Sequence, residues 1–293
     1  MAIKDILVCL DASAPAERRL RLAAGLAREH RAHLAAAYLL PKSATMQGQV
    51  YGPGAIGIGI IGPAAARIGD RSDSDRIPEV SQGALLAETA ERRFRETLHL
   101  DGIEGDWHLL EQGEAAELIA LAKAADLVVV GQHLPEATGA EFQPEQIVVA
   151  CGRPLLVLPY ACTFSSVGKR VLVAWDGSRE ATRAVHDALP LIAAADAVTV
   201  VSVAGHERGL ERQHAAFDRI VRHLERHGLA VRKEEDVQAG LSVCDLLLSR
   251  ANDLEADLIV AGAYHHSQFR EAVLGGVSRE LLDHMTVPVL MSH

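Results

Sequence analysis

Two short sequences occur twice in this chain, and this repetition constrains the fold more than any other feature. Residues 6–13 read ILVCLDAS and align with 171–178, VLVAWDGS; residues 126–131 read DLVVVG and align with 257–262, DLIVAG. Each copy contains a short apolar run closed by an aspartate or a glycine, as at the end of a buried parallel strand. The repetition predicts one α/β unit that occurs twice along the chain.

Strand and helix patterns alternate through both copies of this unit. Alternation that begins with a strand predicts an α/β fold with right-handed crossovers between parallel strands. We therefore expect two tandem open parallel five-stranded sheets flanked by helices. The expected domains are 1–162 and 163–293, called the first and second halves below.

The boundaries of these elements follow from the apolar runs and the helical periods. The strands are predicted at Ile3–Leu10, His33–Leu40, Trp107–Glu111, Leu127–Val130, Leu155–Leu158, Arg170–Trp175, Ala197–Val203, Ala230–Glu235, Leu258–Ala261 and Val287–Met291. The helices are predicted at Pro15–His30, Val80–Leu98, Glu114–Ala124, Arg179–Ala193, Leu210–His227, Val243–Leu254 and Ser278–His284. Ser242, three residues before Asp245, indicates an N-cap for one of these helices.

Residues 41–78 interrupt the pattern of the first half. This segment contains glycines at 48, 52, 54, 57, 59, 62 and 69, and it sustains no hydrophobic period. The interval from Asp11 to Asp126 exceeds that from Asp176 to Asp257 by 34 residues, close to the length of the segment. We expect an insert that is either a functional lid or disordered, with at least its 67–75 portion mobile.

Composition narrows the class of protein. Apolar residues make up 49% of the chain and aromatics only 4%, which suits a core of Ala, Val, Leu and Ile. A formal charge of −10 without a long basic run argues against a nucleic-acid partner. The apolar stretch Gly52–Ala66 is too short and too rich in glycine to span a bilayer, so no membrane partner is expected.

The cysteines and the first residues of the sequence predict a cytoplasmic protein. Four cysteines lie far apart without a Cys-x-x-Cys pair, which favours reduced thiols over disulfides or a zinc site. Residues 1–6 lead directly into a predicted strand and do not have the pattern of a signal peptide.

The end of the second half has the pattern of a phosphate-binding turn. The apolar run Asp257–Gly262 is followed by Gly275-Gly276 and then by a helical pattern that begins near Ser278. Glycines let a backbone approach a ligand closely, and the free N–H groups of a helix N-terminus favour an anion. Asp176 follows another predicted strand, and the carboxyl ends of parallel strands meet at one edge of a sheet. We therefore expect these residues to share one ligand site.

Together these two stretches resemble the universal stress protein family. The family's nucleotide-binding pattern is Gly-x-x-Gly-(nine residues)-Gly-Ser/Thr. Here His265 replaces the second glycine and Gly276 replaces the hydroxyl residue. The resemblance implies an adenine-nucleotide alpha hydrolase-like, Rossmann-like fold that binds ATP or another adenine nucleotide weakly. The nucleotide-binding residues that it implies are Ala174, Trp175, Asp176, Val203, Gly262, His265, Gly275, Gly276, Val277 and Ser278.

The corresponding loop of the first half is shorter. Gly131 to Pro154 spans 23 residues, whereas Gly262 to Pro288 spans 26, and no glycine pair precedes the next helix. We therefore expect no nucleotide in the first half and a structural role for Asp11.

Two of the site residues also have structural explanations. Asp176 suits a turn or an N-cap before the following helix. Gly275-Gly276 suits a tight helix entry with Ser278 as a cap. Trp175 belongs either to the core or to a stacking wall for a base. We favour the core, because its strand should be central in the sheet.

A metal site is not expected at His265 and His266. Adjacent residues on an extended loop point in opposite directions, and no cysteine or clear carboxylate pair completes a ligand set. The other histidines are scattered along predicted helices, where they are expected to be solvated.

Three classes of function remain. The resemblance implies a tandem universal stress protein, that is, a cytoplasmic stress-response and regulatory binding module with a degenerate nucleotide site in its second half. A nucleotide hydrolase would need a catalytic base, a metal-binding carboxylate pair or a Walker-type lysine, and none is apparent, so no enzymatic activity is expected. The third class is a protein-interaction module that works without a nucleotide.

The last strands of the two halves predict how the halves associate. Leu155–Leu158 and Val287–Met291 are apolar and end their units, so each is expected at a sheet edge, where a bare strand invites pairing. The resemblance implies dimers joined through this strand. We expect the two fifth strands to pair within one chain, with a homodimer of whole chains as a further possibility.

Overall fold

The structure is a computed structural model that describes residues 2–40, 80–111, 114–133, 143–161, 164, 166–204, 210–237, 242–263 and 276–293. The strands are β1 Asp5–Leu10, β2 His33–Leu39, β3 Gly105–Leu110, β4 Leu127–Gly131, β5 Leu155–Leu158, β6 Arg170–Ala174, β7 Ala197–Ala204, β8 Val231–Val237, β9 Leu258–Gly262 and β10 Val289–Ser292. The helices are α1 Pro15–His30, α2 Val80–Asp101, α3 Ala115–Ala124, α4 Pro144–Cys151, α5 Arg179–Ile192, α6 Leu210–Arg226, α7 Val243–Asp253 and α8 Gly276–His284. The insert at 41–78 lies outside the described residues.

The ten strands form one continuous sheet in the order β3-β2-β1-β4-β5-β10-β9-β6-β7-β8. Pairing is parallel within each half, and β5 pairs with β10 antiparallel where the halves meet. Each half therefore has the same strand order, with its first strand in the middle. The α/β class and the parallel sheets are as predicted from sequence. The two five-stranded sheets are joined edge to edge at the β5–β10 pair.

The seam between β5 and β10 is apolar and fully buried. Val157 pairs with Val289, Leu156 with Leu290 and Leu155 with Met291. All eight residues of the two strands are buried. Because each strand supplies the hydrogen-bonding edge that the other lacks, neither half presents a bare apolar edge at this position.

Alternating side chains of the strands divide the core into two layers. In β1, Ile6, Val8 and Leu10 face one layer, and Leu7 and Cys9 face the other. Helices α1, α2, α5 and α6 cover the first layer, and α3, α4, α7 and α8 cover the second. Strands buried on both faces explain the nearly continuous apolar runs in the sequence.

The repeated aspartates Asp126 and Asp257 fasten the central strand of each half. The Asp126 carboxylate accepts hydrogen bonds from the backbone N–H groups of Lys4 at 2.8 Å and Asp5 at 3.2 Å. Asp257 likewise accepts from the backbone N–H groups of Lys169 and Arg170, each at 2.9 Å. This conserved geometry between the halves explains why both copies of the repeat begin with aspartate.

One helix was missed in the sequence, and another begins earlier than predicted. Helix α4 lies within the first-half segment between Gly131 and Pro154, for which no helix bounds were predicted, and its Ile-Val-Val run has low helix propensity. Packing overrides this preference, since Ile147, Val148 and Cys151 are buried. Helix α8 begins at Gly276, so Ser278 lies in its first turn and is not a cap before the helix. None of the helices in the described ranges is long and apolar enough to cross a membrane.

Candidate functional site

A cavity of about 350 Å³ lies at the carboxyl ends of β6 and β9, and we call it the second-half cavity. Its walls come from these strands and from β7, α5, α7 and α8. The lining residues are Ala174, Trp175, Asp176, Ser178, Glu180, Ala181, Val201, Val243, Leu247, Ala261, Gly262, Gly276, Val277, Ser278, Leu281 and Met291. The volume falls within the range of pockets that hold small ligands, roughly 300–1,000 Å³.

Seven of the ten residues predicted from the sequence line this cavity. They are Ala174, Trp175, Asp176, Gly262, Gly276, Val277 and Ser278. His265 and Gly275 lie outside the described residues, as does the side chain of Val203 in β7. The cavity lining includes Val201, two residues earlier on the same strand.

Asp176 forms a turn at the rim of the cavity. Its Oδ1 accepts a hydrogen bond from the Ser178 N–H at 2.9 Å, and Gly177 between them has φ +77°. Ser178 in turn caps α5, because its Oγ accepts from the Ala181 N–H at 3.0 Å. The turn explanation for Asp176 is therefore correct, whereas the N-cap of α5 is Ser178. Only Oδ1 is engaged among the described residues, which leaves Oδ2 of the exposed carboxylate available to a ligand.

The two glycines of the cavity have different roles. A Cβ placed on Gly262 would lie 2.5 Å from the Ala181 nitrogen and 2.7 Å from the Glu180 carbonyl carbon. The first glycine of the family pattern is therefore needed for α5 to pack against the end of β9. A Cβ on Gly276 would meet no described atom within 4 Å. Space for a ligand is thus found beside Gly276, at the N-terminus of α8.

Trp175 belongs partly to the core and partly to the cavity. The side chain is half-buried and packs against the core layer that α1, α2, α5 and α6 cover, and it also lines the cavity. The expectation that it is a core residue is therefore incomplete. An indole that is anchored on one side is well suited to form an apolar wall for a flat ligand.

Glu180 is a wall residue that the sequence analysis missed. It follows Ser178 near the start of α5, is 4% exposed, and pairs with the Arg179 guanidinium at 3.1 Å. Together with Asp176 it gives the described lining two carboxylates, and that lining includes no lysine, arginine or histidine. Phosphate groups would therefore depend on backbone N–H groups and the N-terminus of α8 rather than on cationic side chains.

Hydrogen bonds hold α8, which forms one wall of the cavity, from two sides. Ser242 at the N-terminus of α7 donates its hydroxyl to Glu280 at 3.0 Å while also capping α7. Gln132, which follows β4 in the first half and is 7% exposed, donates its amide to the carbonyl oxygens of Leu282 at 2.9 Å and Asp283 at 3.0 Å. The first half therefore fixes the C-terminal end of the cavity's helix.

The corresponding place in the first half is filled by Arg19. Aligning Asp11 with Asp176 puts Arg19 opposite Ala184. The guanidinium is 3% exposed and donates to the Cys9 carbonyl at 2.6 Å and to the Asp11 carboxylate at 2.7 Å. A Cβ on Gly131 would lie 2.2 Å from its Nη1. Arg19 therefore occupies the space beside the end of β4.

The described cysteines are not candidate nucleophiles. Cys9, Cys151 and Cys244 are buried. Burial raises the pKa of the Cys9 and Cys244 thiols to about 12, and it also raises the pKa of Cys151. A reactive thiol needs a thiolate, which these environments disfavour. Among the described residues, no group of three or more His, Cys, Asp or Glu is arranged to hold a metal ion.

Fold and cavity together define a Rossmann-like α/β protein with a ligand-sized cavity at the carboxyl ends of parallel strands. Residues 168–293 match the model of the Universal stress protein family. The second half of the chain is therefore similar to universal stress proteins.

The likeness to known members extends along the whole chain. The universal stress protein Slr1230 of Synechocystis sp. (strain ATCC 27184 / PCC 6803 / Kazusa) is 24% identical over 98% of this chain and 99% of its own. The crystal structure of a universal stress protein from Archaeoglobus fulgidus DSM 4304 has a TM-score of 0.67 at 13% identity, with 98% of this chain and 97% of that chain covered. A putative universal stress protein from Pseudomonas aeruginosa UCBPP-PA14 has a TM-score of 0.59 at 16% identity, covering 99% and 93%. These two structures support the fold.

Two further solved universal stress proteins hold nucleotides. One from Arabidopsis thaliana has AMP bound, and another is in complex with cAMP. They cover 41% and 55% of this chain with TM-scores of 0.30 and 0.34.

Proposed function

We propose that this stress-response protein is a cytoplasmic regulatory binding module whose second-half cavity takes an adenine nucleotide weakly and does not turn it over. The observation that carries the proposal is the contrast between the two strand-end positions. The second-half cavity is ligand-sized with Asp176 at its rim, whereas in the first half the Arg19 guanidinium lies against Gly131 and binds the second oxygen of Asp11. One nucleotide site per chain follows from this contrast.

The chemistry of the cavity suits the nucleoside part of the ligand better than the phosphates. Val201, Leu247 and Leu281 provide apolar walls for a base, and Asp176 at the rim can accept hydrogen bonds from ribose hydroxyls. The N-terminus of α8 favours an anion, but the buried carboxylate of Glu180 opposes it. We therefore expect AMP, ADP and ATP to bind with similar, weak affinities.

Domain pairing through the fifth strands is part of the proposal. The apolar β5–β10 seam supports a contact within one chain, so a dimer of whole chains would have to use another surface. The alternative function, a protein-interaction module without nucleotide, draws support from the two carboxylates of the described lining.

Calorimetry with AMP, ADP and ATP tests the proposal directly. Asp176→Ala should weaken binding of each nucleotide about tenfold or more, because a hydrogen bond to a charged group contributes about 1.5–3 kcal/mol. Asp11→Ala is the matched control, since Asp11 forms the same turn with the Ser13 N–H at 2.8 Å but lies in the filled half. Its nucleotide affinities should equal those of the wild type.

Two further measurements separate the classes of function. Mass spectrometry of small molecules released by denaturation should find an adenine nucleotide if binding is tight enough to survive purification. Incubation with ATP should release no phosphate above background. Multiple turnover would instead identify an enzyme, and the absence of binding by any of the three nucleotides would favour the interaction module.

A further inference from the structure

A second cavity of about 480 Å³ lies along α1 of the first half, and we call it the α1 groove. One wall is the exposed side of α1 between Pro15 and Glu29. The other is the segment that leads from the end of β5 to β6, including Phe164, Val167 and Lys169. The groove lies on the side of the sheet that α1, α2, α5 and α6 cover. It shares no lining residue with the second-half cavity.

Cationic side chains predominate around the α1 groove. The lining contains five cationic residues: Arg18, Arg19, Arg21, Arg28 and Lys169. Glu29 is the one carboxylate of that lining. Such a concentration is unusual for a chain with a formal net charge of −10. Arg21 and Arg28 pair with Glu17 and Asp101, but the Lys169 ammonium contacts only the Ala194 carbonyl oxygen, at 3.5 Å, among the described residues. A cation that is not neutralised therefore remains at the rim.

The floor of the groove is apolar and opens above a glycine. Leu22 and Leu26 of α1 face Phe164 and Val167 across the groove. Gly25 lies in the middle of the 16-residue helix, and a Cβ there would meet no described atom within 4 Å. Glycine weakens a helix interior because it loses more backbone freedom than alanine on folding. At this position its effect is to keep the floor of the groove open.

The second half has no equivalent of this groove in its sequence. In the alignment of Asp11 with Asp176, Pro190 stands opposite Gly25, and Ala193 stands opposite Arg28. Lys4, by contrast, is the counterpart of Lys169 and lies before β1, away from the groove. The open space at Gly25 and the charge of Arg28 therefore have no counterpart in α5.

We propose that the α1 groove binds a small amphiphilic anion, a molecule with an apolar body and one acidic head group. The apolar body lies over Gly25 between α1 and the linking segment, and the head group pairs with Lys169. The proposal does not depend on nucleotide binding in the second-half cavity.

The test uses the fluorescent anion 8-anilinonaphthalene-1-sulfonate as the probe on the full chain. The wild type should bind it saturably, one molecule per chain, and the uncharged analogue N-phenyl-1-naphthylamine should bind at least about tenfold more weakly. Lys169→Glu should raise the Kd of the anion about tenfold or more, and raising the salt concentration should weaken binding. Lys4→Glu, the matched control, should leave the Kd unchanged.

A second pair of variants tests where the probe lies. Gly25→Phe puts a ring into the open space and should abolish saturable binding, whereas Gly25→Ala should keep it, and both should melt at or above the wild-type temperature. Wild-type affinity in Gly25→Phe or in Lys169→Glu would overturn the proposal, as would equal affinity for the uncharged analogue. Calorimetry of AMP with Gly25→Phe should match the wild type, which keeps this result separate from the nucleotide site.

Discussion

Asp11 and Asp176 form the same turn in the two halves, but their surroundings differ. Each carboxylate accepts a hydrogen bond through Oδ1 from the N–H group two residues later, at 2.8 Å and 2.9 Å. The second oxygen of Asp11 is bound by Arg19 at 2.7 Å, and that of Asp176 faces no such cation among the described residues. The turn itself is therefore a structural device, and the neighbouring helix decides whether it also borders a ligand site.

The side chain that makes this decision comes from one helical position. Arg19 in α1 stands where α5 has Ala184, and both positions are buried. A long guanidinium there fills the space beside the end of β4, while at the end of β9 the backbone of Glu180 and Ala181 packs directly against Gly262. The surroundings of the two aspartates thus differ through this helical position, without any change in the strand-end turn.

The largest expected effect comes from giving the first half the alanine of the second. Arg19→Ala removes the partner of a half-buried carboxylate and the donor to the Cys9 carbonyl, and it leaves a space in the core. Breaking a buried ion pair from one side costs about 3–5 kcal/mol, and we expect a loss of unfolding free energy near the lower figure because Asp11 is partly exposed.

Urea unfolding measures this loss. Arg92→Ala is the control, because Arg92 is exposed and its ion pair with Glu96 lies at the surface; it should change stability by under about 1 kcal/mol. Equal losses in the two variants would show that the contacts of Arg19 do not stabilise the first half more than a surface ion pair does.

A smaller effect is expected from Gln132→Ala, which gives the first half the counterpart of Ala263. The variant removes both hydrogen bonds to the carbonyl oxygens of α8, and we expect a loss of about 1–3 kcal/mol in unfolding free energy. Hydrogen exchange should rise in α8 before it rises in α4. If hydrogen exchange rises equally in α4 and α8, then Gln132 does not stabilise α8 of the second half specifically.

Restoring the family pattern should sharpen the contrast in binding. His265→Gly together with Gly276→Ser is expected to tighten ATP binding by about an order of magnitude, since two effects of about 1 kcal/mol combine. A serine side chain at 276 meets no described atom within 4 Å of its Cβ. Calorimetry on the double variant decides the matter. Unchanged affinity would mean that this loop is not a degraded phosphate site.

The smallest expected effect on stability concerns the helix pairs α1/α2 and α5/α6, which cover the same face of the sheet. Helices α1 and α2 are joined by the Arg28–Asp101 ion pair at 2.7 Å, whereas His186 and His223 join α5 and α6 with ring centroids 4.9 Å apart. Burial lowers the pKa of His223, and the charges of His186, His227 and Arg226 lower it further. The unfolded chain therefore binds this proton more readily, and stability should fall as the pH drops below about 6.5.

Urea midpoints at pH 7.5 and pH 5.5 test this difference. His223→Leu should lose part of the pH dependence, amounting to under about 1 kcal/mol because solvent screens the cluster. His99→Leu, which changes an exposed histidine of α2, should keep all of it. An unaltered pH dependence in His223→Leu would show that His223 does not contribute to the pH dependence of stability.

The sequence predicted the fold well because its signals are local. Apolar runs closed by aspartate or glycine mark β1, β4, β6 and β9, and the repeat indicates that the two halves share one arrangement. Helix α4 escaped prediction because burial, and not propensity, stabilises its β-branched residues. The antiparallel register of β5 with β10 involves strands that are far apart in sequence, and no local pattern specifies it.

The candidate site was predictable only in part. Glycine and aspartate patterns led to seven lining residues, because turns have strong sequence signatures. Glu180 and the apolar walls were missed, since ordinary helix and strand residues become wall residues only when the elements pack. Arg19 carried one available signal: an arginine within an otherwise apolar helical face, opposite an alanine in the aligned repeat.

The seam between β5 and β10 also has a consequence for the time course of folding. All four residues of β5 are buried, yet the residues that cover its outer edge are Val289–Ser292, the last strand of this chain. At about 5–20 residues per second, a ribosome needs roughly 6–26 s to make the intervening stretch. During that interval a finished first half displays an apolar edge that can pair with another nascent chain. The junction that unites the mature molecule is therefore also the place where its synthesis is most exposed to aggregation.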